Sequence, residues 1–537
     1  PLLSTYRQLQ EIRPYYLFND VDIDRYTIDG NYRQVMLSAR ELDYDRIPDR
    51  AKTWVNQRLK YTHGYGAVMS PVNQVTEDGL PIFFIKNIPP VSPVNLDIFA
   101  PAIYYGESTE NYIFTNTTTP EFDYPQGNQN AFTKYDGAGG VPISNLFRKL
   151  AYAYDLGSFK ILISNYFTPE SRLHYYRQIR QRVSHVAPFL QFDSDPYITV
   201  IDGKLQWIID AYTTSDRFPY AEPVEPGTNY IRNSVKVLVD AVDGSMQFLA
   251  INEDEPVLAT YRKIFPSLFK SQNTISPQIS EHFRYPLDLF KIQAQMYLAY
   301  HMNDPQVFYN REDLWRFATE NYEGNQQPIE PYYQIMNLPG ESGEEFVLIL
   351  PFTPVNKDNM IAWMAARSDG ENYGKTLLYE FPKQKLIFGP FQIEARIDQN
   401  PEISQQLTLW SQKGSRVIRG DLLVIPINNS LLYVEPVYLR AEQGELPELR
   451  RVIVAYDKDV VMRPTLEESL NALFGGQTPT PRVEPAAATQ PIEADANLIQ
   501  RAAETFERAE NAQREGNWAE YGRYQQQLKQ IIEELQQ

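Results

Sequence analysis

The sequence predicts an α+β fold, with sheets built from β-hairpins and meanders, helices interspersed between them, and a helical hairpin at the C-terminus. Three observations predict it. Asp-Gly pairs stand between apolar, β-branched runs, as in two-residue hairpin turns whose residues both take positive φ. Apolar residues recur at helical spacing after several prolines. The strands come in runs and the helices in runs, which favours α+β over an alternating parallel fold.

The clearest hairpins lie in residues 197–251, where Asp202-Gly203 and Asp243-Gly244 each separate two apolar runs. Between the hairpins, residues 213–229 are polar, aromatic and rich in proline, so they cannot form the interior of a strand. We expect a rigid sheet that displays this excursion as an exposed, functional loop.

Apolar periodicity and proline positions predict the other elements. The predicted helices are residues 48–61, 142–154, 169–186, 256–269, 286–302, 403–412 and 465–474. The predicted strands of the C-terminal half include residues 346–350, 375–381 and 385–397, followed by a further meander.

These elements predict five segments along the chain. They are a β-rich domain with inserted helices (1–255), a mainly helical segment (256–340), an α+β domain ending in a meander (341–475), a Pro/Ala-rich linker (476–495) and the helical hairpin (496–537). The hairpin carries an apolar stripe that it cannot bury alone, so it must dock on its own body or on a second copy. We expect exchange between copies, and therefore a homo-oligomer, with docking on its own chain as the alternative.

Composition excludes several classes of protein. The formal charge of −18 disfavours nucleic acid as a partner and also disfavours adsorption to anionic lipid headgroups. The chain has no cysteine, which excludes disulfides, thiol catalysis and Cys-based metal sites. No apolar run approaches the roughly 20 residues of a transmembrane helix. Because the chain opens at Pro1 and is soon patterned, we expect it to be part of a longer protein.

Three aspartates, Asp20, Asp22 and Asp24, alternate along a predicted strand that ends at the turn Asp29-Gly30. We expect Val21 and Ile23 to face the core and the aspartates to face solvent. The calcium loop that they resemble needs a glycine and a glutamate at positions occupied by Arg25 and Asn31, so this is no EF-hand. The aspartates could still hold a divalent cation with partners from elsewhere, and the alternative is an exposed acidic strand face. The sequence indicates no other cofactor.

Three further groups of residues are candidates for ligand binding. They are His63 and Tyr65 in His-Gly-Tyr-Gly; Gly137, Gly139 and Gly140 before a predicted helix; and Arg232 with Asn233. Glycines at a helix start can form an anion nest, although a flexible loop before a proline-started helix is the favoured explanation. For the polar groups, a buried and satisfied hydrogen-bond network is the alternative. The chain lacks His-Glu-x-x-His and Gly-x-Ser-x-Gly, so no catalytic residue is assigned.

Several long sequence segments resemble one family. Among them are RQVMLSARELD, YDGAGGV, APFLQFDSDPY and WIIDAYTTSDRFPY. The family is uncharacterised protein family 0182, large bacterial membrane proteins of unknown function. The resemblance implies a missing N-terminal bundle of transmembrane helices. It also implies that this chain is the large domain outside the cytoplasmic membrane. The family brings no catalytic residues.

The leading hypothesis is a non-enzymatic extracytoplasmic domain with a binding or assembly role at the cell envelope. The alternative is a hydrolase that acts on an envelope polymer through paired carboxylates or a divalent metal. Its candidates are Asp20, Asp22, Asp24, Asp193 and Asp195. Paired carboxylates need a separation in space that the sequence cannot show.

Overall fold

A computed structural model describes residues 1–475 except 128, 225–226, 323–324, 413, 428–429, 443 and 445, together with residues 501, 505, 508, 520, 523, 524 and 527. Residues 1–476 form one compact unit and residues 477–537 form another. The predicted linker (476–495) lies outside the described residues, and so does nearly all of the predicted helical hairpin (496–537). Within the part of the chain that is described, no helix has the length and apolarity needed to cross a membrane.

The first third of the chain is mostly strand and loop. Its elements are α1 (Leu2–Gln10), β1 (Tyr16–Phe18), β2 (Asp22–Ile28), β3 (Asn31–Leu42), β4 (Gly64–Tyr65), β5 (Ala67–Pro71), β6 (Ala102–Ile103), β7 (Ile113–Thr115), β8 (Glu121–Gln126), β9 (Gln129–Thr133) and β10 (Val141–Pro142). A π-helical turn, Asn56–Lys60, stands within the helix predicted at residues 48–61.

The middle of the chain mixes short helices with the longest hairpin. Its elements are α2 (Leu146–Asp155), α3 (Lys160–Ile163), β11 (Arg172–His174), α4 (Ile179–Val186), β12 (Gln191–Phe192), β13 (Tyr197–Ile201), β14 (Lys204–Ser215), β15 (Tyr230–Asp240), β16 (Met246–Ala250), α5 (Pro256–Ile264), β17 (Phe269–Lys270) and α6 (Pro277–Ser280).

The last part carries two further sheets and their helices. Its elements are α7 (Leu287–Tyr300), α8 (Pro305–Asn310), β18 (Trp315–Phe317), β19 (Thr319–Tyr322), β20 (Asn325–Pro328), β21 (Tyr332–Asn337), β22 (Glu344–Pro354), β23 (Ala362–Arg367), β24 (Thr376–Glu380), α9 (Pro390–Gln399), α10 (Pro401–Trp410), β25 (Ser415–Arg419), β26 (Leu423–Ile427), β27 (Ser430–Ala441), β28 (Glu448–Tyr456), β29 (Asp459–Arg463) and α11 (Leu466–Phe474).

Four larger sheets dominate the fold. Their strand orders are β1-β3-β2 with β5 on β3, β12-β14-β15-β16-β17 with β13 on β14, β18-β22-β23-β24 with β21 on β22, and β25-β27-β28-β29 with β26 on β27. Of their pairings, only β16 with β17 is parallel among the described strands. Antiparallel sheets with helices between them confirm the α+β prediction.

Two of the three predicted Asp-Gly turns are confirmed. Asp29-Gly30 joins β2 to β3 with φ of 51° and 77°, and Asp202-Gly203 joins β13 to β14 with φ of 50° and 71°. Asp243-Gly244 is different, because five residues separate β15 from β16 and only Gly244 has positive φ. The Asp240 carboxylate accepts hydrogen bonds from the backbone N–H groups of Val242 and Asp243 and shapes that link. The two-residue turn predicted there is wrong.

Two predicted elements are also wrong. Residues 169–186 do not form one helix, because β11 pairs with β7 before α4 begins. Residues 385–397 were predicted as strand, but most of them lie in α9, which starts at a proline and buries Ile393 and Ile397 on one face. Apolar spacing in short segments does not separate strand from helix.

The hydrophobic core forms three main clusters within residues 1–475. One joins the first sheet to the inner face of the β14–β15 sheet, around Leu37, Tyr104 and Trp207. Another fills the space between β22–β23 and β27–β28, around Val347 and Ile453. The third, around α7 and the opposite face of β22, includes Tyr212 of β14. This third cluster ties the predicted segments 1–255, 256–340 and 341–475 into one packed body.

Candidate functional site

The aspartates of β2 face the protein interior, which is the reverse of the prediction. Asp22 and Asp24 are buried, whereas Val21 and Ile23 are only half-buried. The backbone N–H of Ile198 donates to Asp22 Oδ2 across 3.0 Å, so β13 of the neighbouring sheet covers this face. The expectation of an acidic face open to solvent is therefore wrong.

Arg284 supplies the positive charge opposite these carboxylates. Its Nη2 lies 2.9 Å from Asp195 Oδ2, and its Nη1 lies 4.0 Å from Asp22 Oδ1. The guanidinium is sandwiched by aromatic rings, 3.7 Å from the centroid of Tyr197 and 5.1 Å from that of Tyr333. Because Arg284 and Asp22 are both buried, their contact is weakly screened, whereas the side chain of Asp195 is 33% exposed. Two of the predicted aspartates therefore have a structural role as partners of one buried cation.

Asp24 is held by a different set of donors. His282 Nδ1 lies 2.7 Å from Asp24 Oδ2, and the backbone N–H of Arg25 donates to Asp24 Oδ1 across 2.8 Å. The Arg25 side chain is itself buried and pairs with Asp369 at 3.0 Å. Asp22 and Asp24 thus do not form a common cation-binding centre. No group of three or more His, Asp or Glu side chains in the described part of the chain is arranged to hold a metal ion.

Asp20 is the member of the triplet that meets another carboxyl group. Its side chain lies beside that of Glu107, and each carboxyl group affects the pKa of the other. Burial, followed by the negative charges of Asp20 and Asp22, raises the pKa of Glu107 well above its ordinary value. Burial and the charge of Asp195 also raise the pKa of Asp20. Two neighbouring carboxyl groups repel each other when both are ionised, which favours keeping a proton on Glu107.

Glu41 on β3 fixes the loop that carries Glu107. Its buried carboxylate accepts hydrogen bonds from the backbone N–H groups of Glu107 and Ser108, at 2.9 and 3.0 Å, and from the Thr109 hydroxyl at 2.6 Å. A Cβ at Gly106 would collide with the same carboxylate, so glycine is required there. Glu107 Oε2 is buried and meets no donor among the described residues. A negative charge on Glu107 would therefore be poorly solvated.

A half-open pocket of about 190 Å³ lies beside this loop. Its lining includes four acidic residues, Glu41, Asp43, Asp45 and Glu110. Such a wall attracts cationic groups and repels anionic ones. Glu107 precedes Ser108, which lines this pocket, but neither Asp20 nor Glu107 is part of the lining. A second pocket, of about 370 Å³, has mixed charges in its lining.

The remaining pair of candidate carboxylates does not converge on one point. Asp195 pairs with Arg284, as described above, whereas Asp193 is buried against Tyr212, whose hydroxyl donates to it. The backbone N–H of Asp288 donates to Asp193 across 3.1 Å. Burial and the charges of Asp210 and Asp288 raise the pKa of Asp193 to about 6.

His63 and Tyr65 belong to a buried network. His63 Nε2 lies 3.3 Å from Asp123 Oδ1, and its Nδ1 lies 2.9 Å from the Thr62 hydroxyl. That hydroxyl donates to Glu121, which also accepts a hydrogen bond from Tyr104. The rings of His63 and Tyr65 are almost completely buried. This is the satisfied network that the sequence left as the alternative to ligand binding.

Gly137, Gly139 and Gly140 do not lie at the start of a helix, because α2 begins only at Leu146 with Asn145 as its cap. The guanidinium of Arg172 donates to the carbonyl groups of residues 138, 139 and 140. A Cβ at Gly139 would collide with the backbone of the link between β15 and β16, and one at Gly140 would lie 2.8 Å from His174 Nε2. The glycines therefore permit close packing, and the anion nest predicted before a helix is wrong.

Of the three groups of candidate ligand-binding residues, the structure connects the group around His63 to the glycine loop, but not to Arg232 and Asn233. The ring of His63 contacts Tyr104, with centroids 4.6 Å apart, and a row continues through Tyr135 to His174 under the glycine loop. On β15, Arg232 is exposed, with its guanidinium over the ring of Tyr230. Its neighbour Asn233 donates to Asp210, 2.9 Å away. These two residues do not join the row.

With this geometry described, comparison with known proteins adds the family. A family model described as Uncharacterised protein family (UPF0182) matches residues 1–410. The chain belongs to this family. A UPF0182 protein of Trichodesmium erythraeum (strain IMS101) is 64% identical over 554 residues, covering 100% of the chain and 60% of that protein. A UPF0182 protein of Pelotomaculum thermopropionicum (strain DSM 13744 / JCM 10971 / SI) is 55% identical over 539 residues, covering 100% of the chain and 59% of that protein.

A UPF0182 protein of Methanospirillum hungatei JF-1 (strain ATCC 27890 / DSM 864 / NBRC 100397 / JF-1) is 52% identical over 536 residues, covering 98% of the chain and 59% of that protein. The resemblance noted in the sequence is confirmed. The chain spans about 60% of the length of the curated relatives it matches. No solved structure matches it.

Sequence reasoning missed the residues that face Asp20 and Asp22 in this UPF0182 chain. Glu107 stands in Tyr-Gly-Glu-Ser and Arg284 in His-Phe-Arg-Tyr, and neither word is a recognised motif. One signal was available for Glu41, because Arg40-Glu41 is a charged pair in a strand that also holds the apolar run Val35–Leu37. Lys, Arg, Asp and Glu are seldom fully buried unless paired. A charged pair in a strand interior therefore indicates a buried network.

Proposed function

We propose that this UPF0182 chain is the extracytoplasmic domain of a longer membrane protein and has a binding or assembly role at the cell envelope. The resemblance in sequence supports the location, and the greater length of the relatives leaves room for membrane-spanning segments. The surface of the domain supports the binding role. The body is closely packed around buried charges, while the described residues between β14 and β15 expose Tyr220 and Arg217.

The observation that carries the proposal is the excursion between β14 and β15. Asn229 clamps it, because its Oδ1 accepts from the Phe218 N–H at 3.0 Å and its Nδ2 donates to the Phe218 carbonyl at 2.8 Å. The Phe218 ring stacks on Tyr230 with centroids 5.0 Å apart. Beyond this clamp, Tyr220 is fully exposed and the Arg217 side chain is 91% exposed. Tyrosine and arginine are the residue types most enriched at binding hot spots.

The base of the excursion is rigid. Glu255, which caps α5, accepts hydrogen bonds from the Thr213 hydroxyl at 2.9 Å and from the Tyr230 hydroxyl at 2.8 Å. Thr213 and Tyr230 stand at the two ends of the excursion, on β14 and β15. Glu222 within it accepts a hydrogen bond from Tyr300 of α7. A surface that is held in place before binding loses little conformational entropy when a partner arrives.

The location is tested by labelling in intact cells. Because this chain has no cysteine, Tyr220→Cys adds one thiol at an exposed position. The full-length protein with this substitution should react with a membrane-impermeant maleimide before lysis, and the unsubstituted full-length protein is the control for cysteines elsewhere. Reaction only after the cells are lysed would contradict an extracytoplasmic domain.

Self-association is the second part of the proposal. The apolar stripe predicted in residues 496–537 needs a covering surface, and a second copy of the chain supplies one without any further partner. Those residues lie almost entirely outside the described part of the chain. Their apolar stripe is a feature of the sequence, and removal of residues 477–537 tests its role.

A hydrolase is the second candidate, and the Asp20–Glu107 pair is the observation that favours it. One protonated and one ionised carboxyl group can supply a general acid and a general base. The test is the release of soluble fragments from purified envelope polymer. The binding proposal predicts no release above background. Release that is lost in Glu107→Gln but kept in Glu77→Gln, at an exposed glutamate outside the pocket lining, would establish the hydrolase instead.

A further inference from the structure

We propose that the outer face of α2 and α3 is a docking surface for an anionic lipid bilayer. Residues 146–166, which contain these two short helices, expose several large apolar side chains. Those at least half exposed are Leu146 (68%), Phe147 (78%), Leu150 (50%), Tyr154 (92%), Phe159 (69%) and Ile163 (63%). Contiguous apolar exposure of this kind marks a surface that contacts a protein or a membrane.

The exposed face belongs to helices that are firmly anchored on their other side. Ala153 and Ile161 are buried, and Tyr152 packs against the same small cluster, which includes Phe114 and Leu173. The Asn145 side chain caps α2 by accepting from the backbone N–H of Phe147. The helices are therefore ordered while their apolar face stays uncovered. An ordered helix with an uncovered apolar face is typical of amphipathic helices that lie in the membrane–water interface.

The charge of this surface indicates which occupant covers it. Residues 146–166 carry three cationic side chains, Arg148, Lys149 and Lys160, and one acidic side chain, Asp155, in a chain whose formal charge is −18. Lysine and arginine beside exposed phenylalanine, leucine and tyrosine are typical of segments that bind anionic headgroups and insert apolar side chains beneath them. This surface is therefore locally cationic, although the negative charge of the whole chain disfavours its adsorption to anionic lipids.

Other occupants fit the surface less well. In a two-fold contact between copies, each patch would meet its own equivalent, so Arg148 and Lys160 would approach cations of the partner copy. A purely apolar covering segment would bury the apolar side chains but offer no negative charge to the exposed cations Arg148 and Lys160. A bilayer with anionic headgroups satisfies both features at once. The inference does not depend on the excursion between β14 and β15.

Vesicle binding by the chain tests the inference. The chain should bind vesicles of phosphatidylcholine with phosphatidylglycerol, and bind vesicles of phosphatidylcholine alone at least tenfold more weakly, because each basic residue near an anionic surface contributes to the attraction. Phe147→Ala with Phe159→Ala should reduce binding to anionic vesicles by more than tenfold. The matched control is Tyr309→Ala, which removes a side chain that is 86% exposed on α8.

A site-specific probe shows which surface makes the contact. Tyr154→Cys provides the one thiol of the chain, and a polarity-sensitive fluorophore attached there should shift to the blue when anionic vesicles are added. About 1 M salt, at which the Debye length is about 3 Å, should weaken the shift. Absence of binding to anionic vesicles would overturn the inference. So would concentration-dependent self-association that Phe147→Ala abolishes, because the surface would then be a contact between copies.

Discussion

Arg284→Met is the substitution that most directly tests the buried charge cluster. Arg284 is 3% exposed and lies between the Tyr197 and Tyr333 rings. Its guanidinium pairs with Asp195, approaches Asp22 and donates to the carbonyl of Ile23 across 2.9 Å. It thereby connects the first sheet, the β13–β14 sheet and β21. Methionine has a similar length and fills much of the same space, so the charge is the main change.

The expected loss is about 3–5 kcal/mol of unfolding free energy, the cost of leaving one partner of a buried ion pair without the other. The loss should depend on pH. Burial and the neighbouring charges of Asp20 and Asp195 already raise the pKa of Asp22 well above its ordinary value in the folded protein. A carboxyl group of this kind destabilises the fold when it ionises, so its cost grows as pH rises and disappears below the pKa of the unfolded state. Without Arg284 that cost is larger.

The assay is urea unfolding at about pH 5 and about pH 8, followed by circular dichroism, with the free energy extrapolated to water. Arg217→Met, at an arginine whose side chain is 91% exposed, is the control and should change stability by less than about 0.5 kcal/mol. Adding Asp22→Asn to Arg284→Met should recover part of the loss. A loss below about 1 kcal/mol, or an equal loss at both pH values, would refute the assignment of Arg284 as the central counter-charge.

Four further predictions follow, three from the structure and one from the sequence of residues 477–537. Gly203→Val should lower the melting temperature more than Gly30→Val, because both turns need positive φ but only a Cβ at Gly203 would strike a neighbouring phenylalanine ring. Burial and the charge of a nearby glutamate raise the pKa of Glu394 to about 8. Stability should therefore fall between about pH 5 and pH 8, and less so in Glu394→Gln, by thermal melts. Light scattering should show an oligomer that becomes monomeric when residues 477–537 are removed. Calorimetric titration with calcium should show no tight stoichiometric binding, because Arg284 already neutralises Asp22.

Each of these outcomes can contradict the structural argument. Equal melting temperatures for the two glycine variants would show that the phenylalanine ring moves aside without loss of stability. A stability profile that is identical with and without Glu394 would show that this carboxyl group titrates normally. Equal masses for the full and shortened chains would show that residues 477–537 do not exchange between copies. A sub-micromolar calcium event that is lost in Asp22→Asn would restore the metal site and favour the hydrolase.

The sequence by itself determined the features that depend on neighbouring residues. The turns Asp29-Gly30 and Asp202-Gly203 follow from local backbone preference, because few other residues accept positive φ at adjacent positions. The helices at residues 286–302 and 465–474 were predicted close to their observed bounds, from apolar spacing and from the residues that begin them. The α+β class follows from the order of such elements.

Only the tertiary structure decided which side of β2 is covered. Strict alternation identifies two faces of a strand but not which one is buried, and a face of aspartates is ordinarily the exposed one. Here Arg284 and His282, more than 250 residues away in the chain, supply the counter-charge and the hydrogen bond that let Asp22 and Asp24 be buried. The raised pKa of Glu107 depends on the same packing. Ionic and proton-sharing contacts depend on distance in space, and no local pattern in the sequence encodes which distant residues will meet.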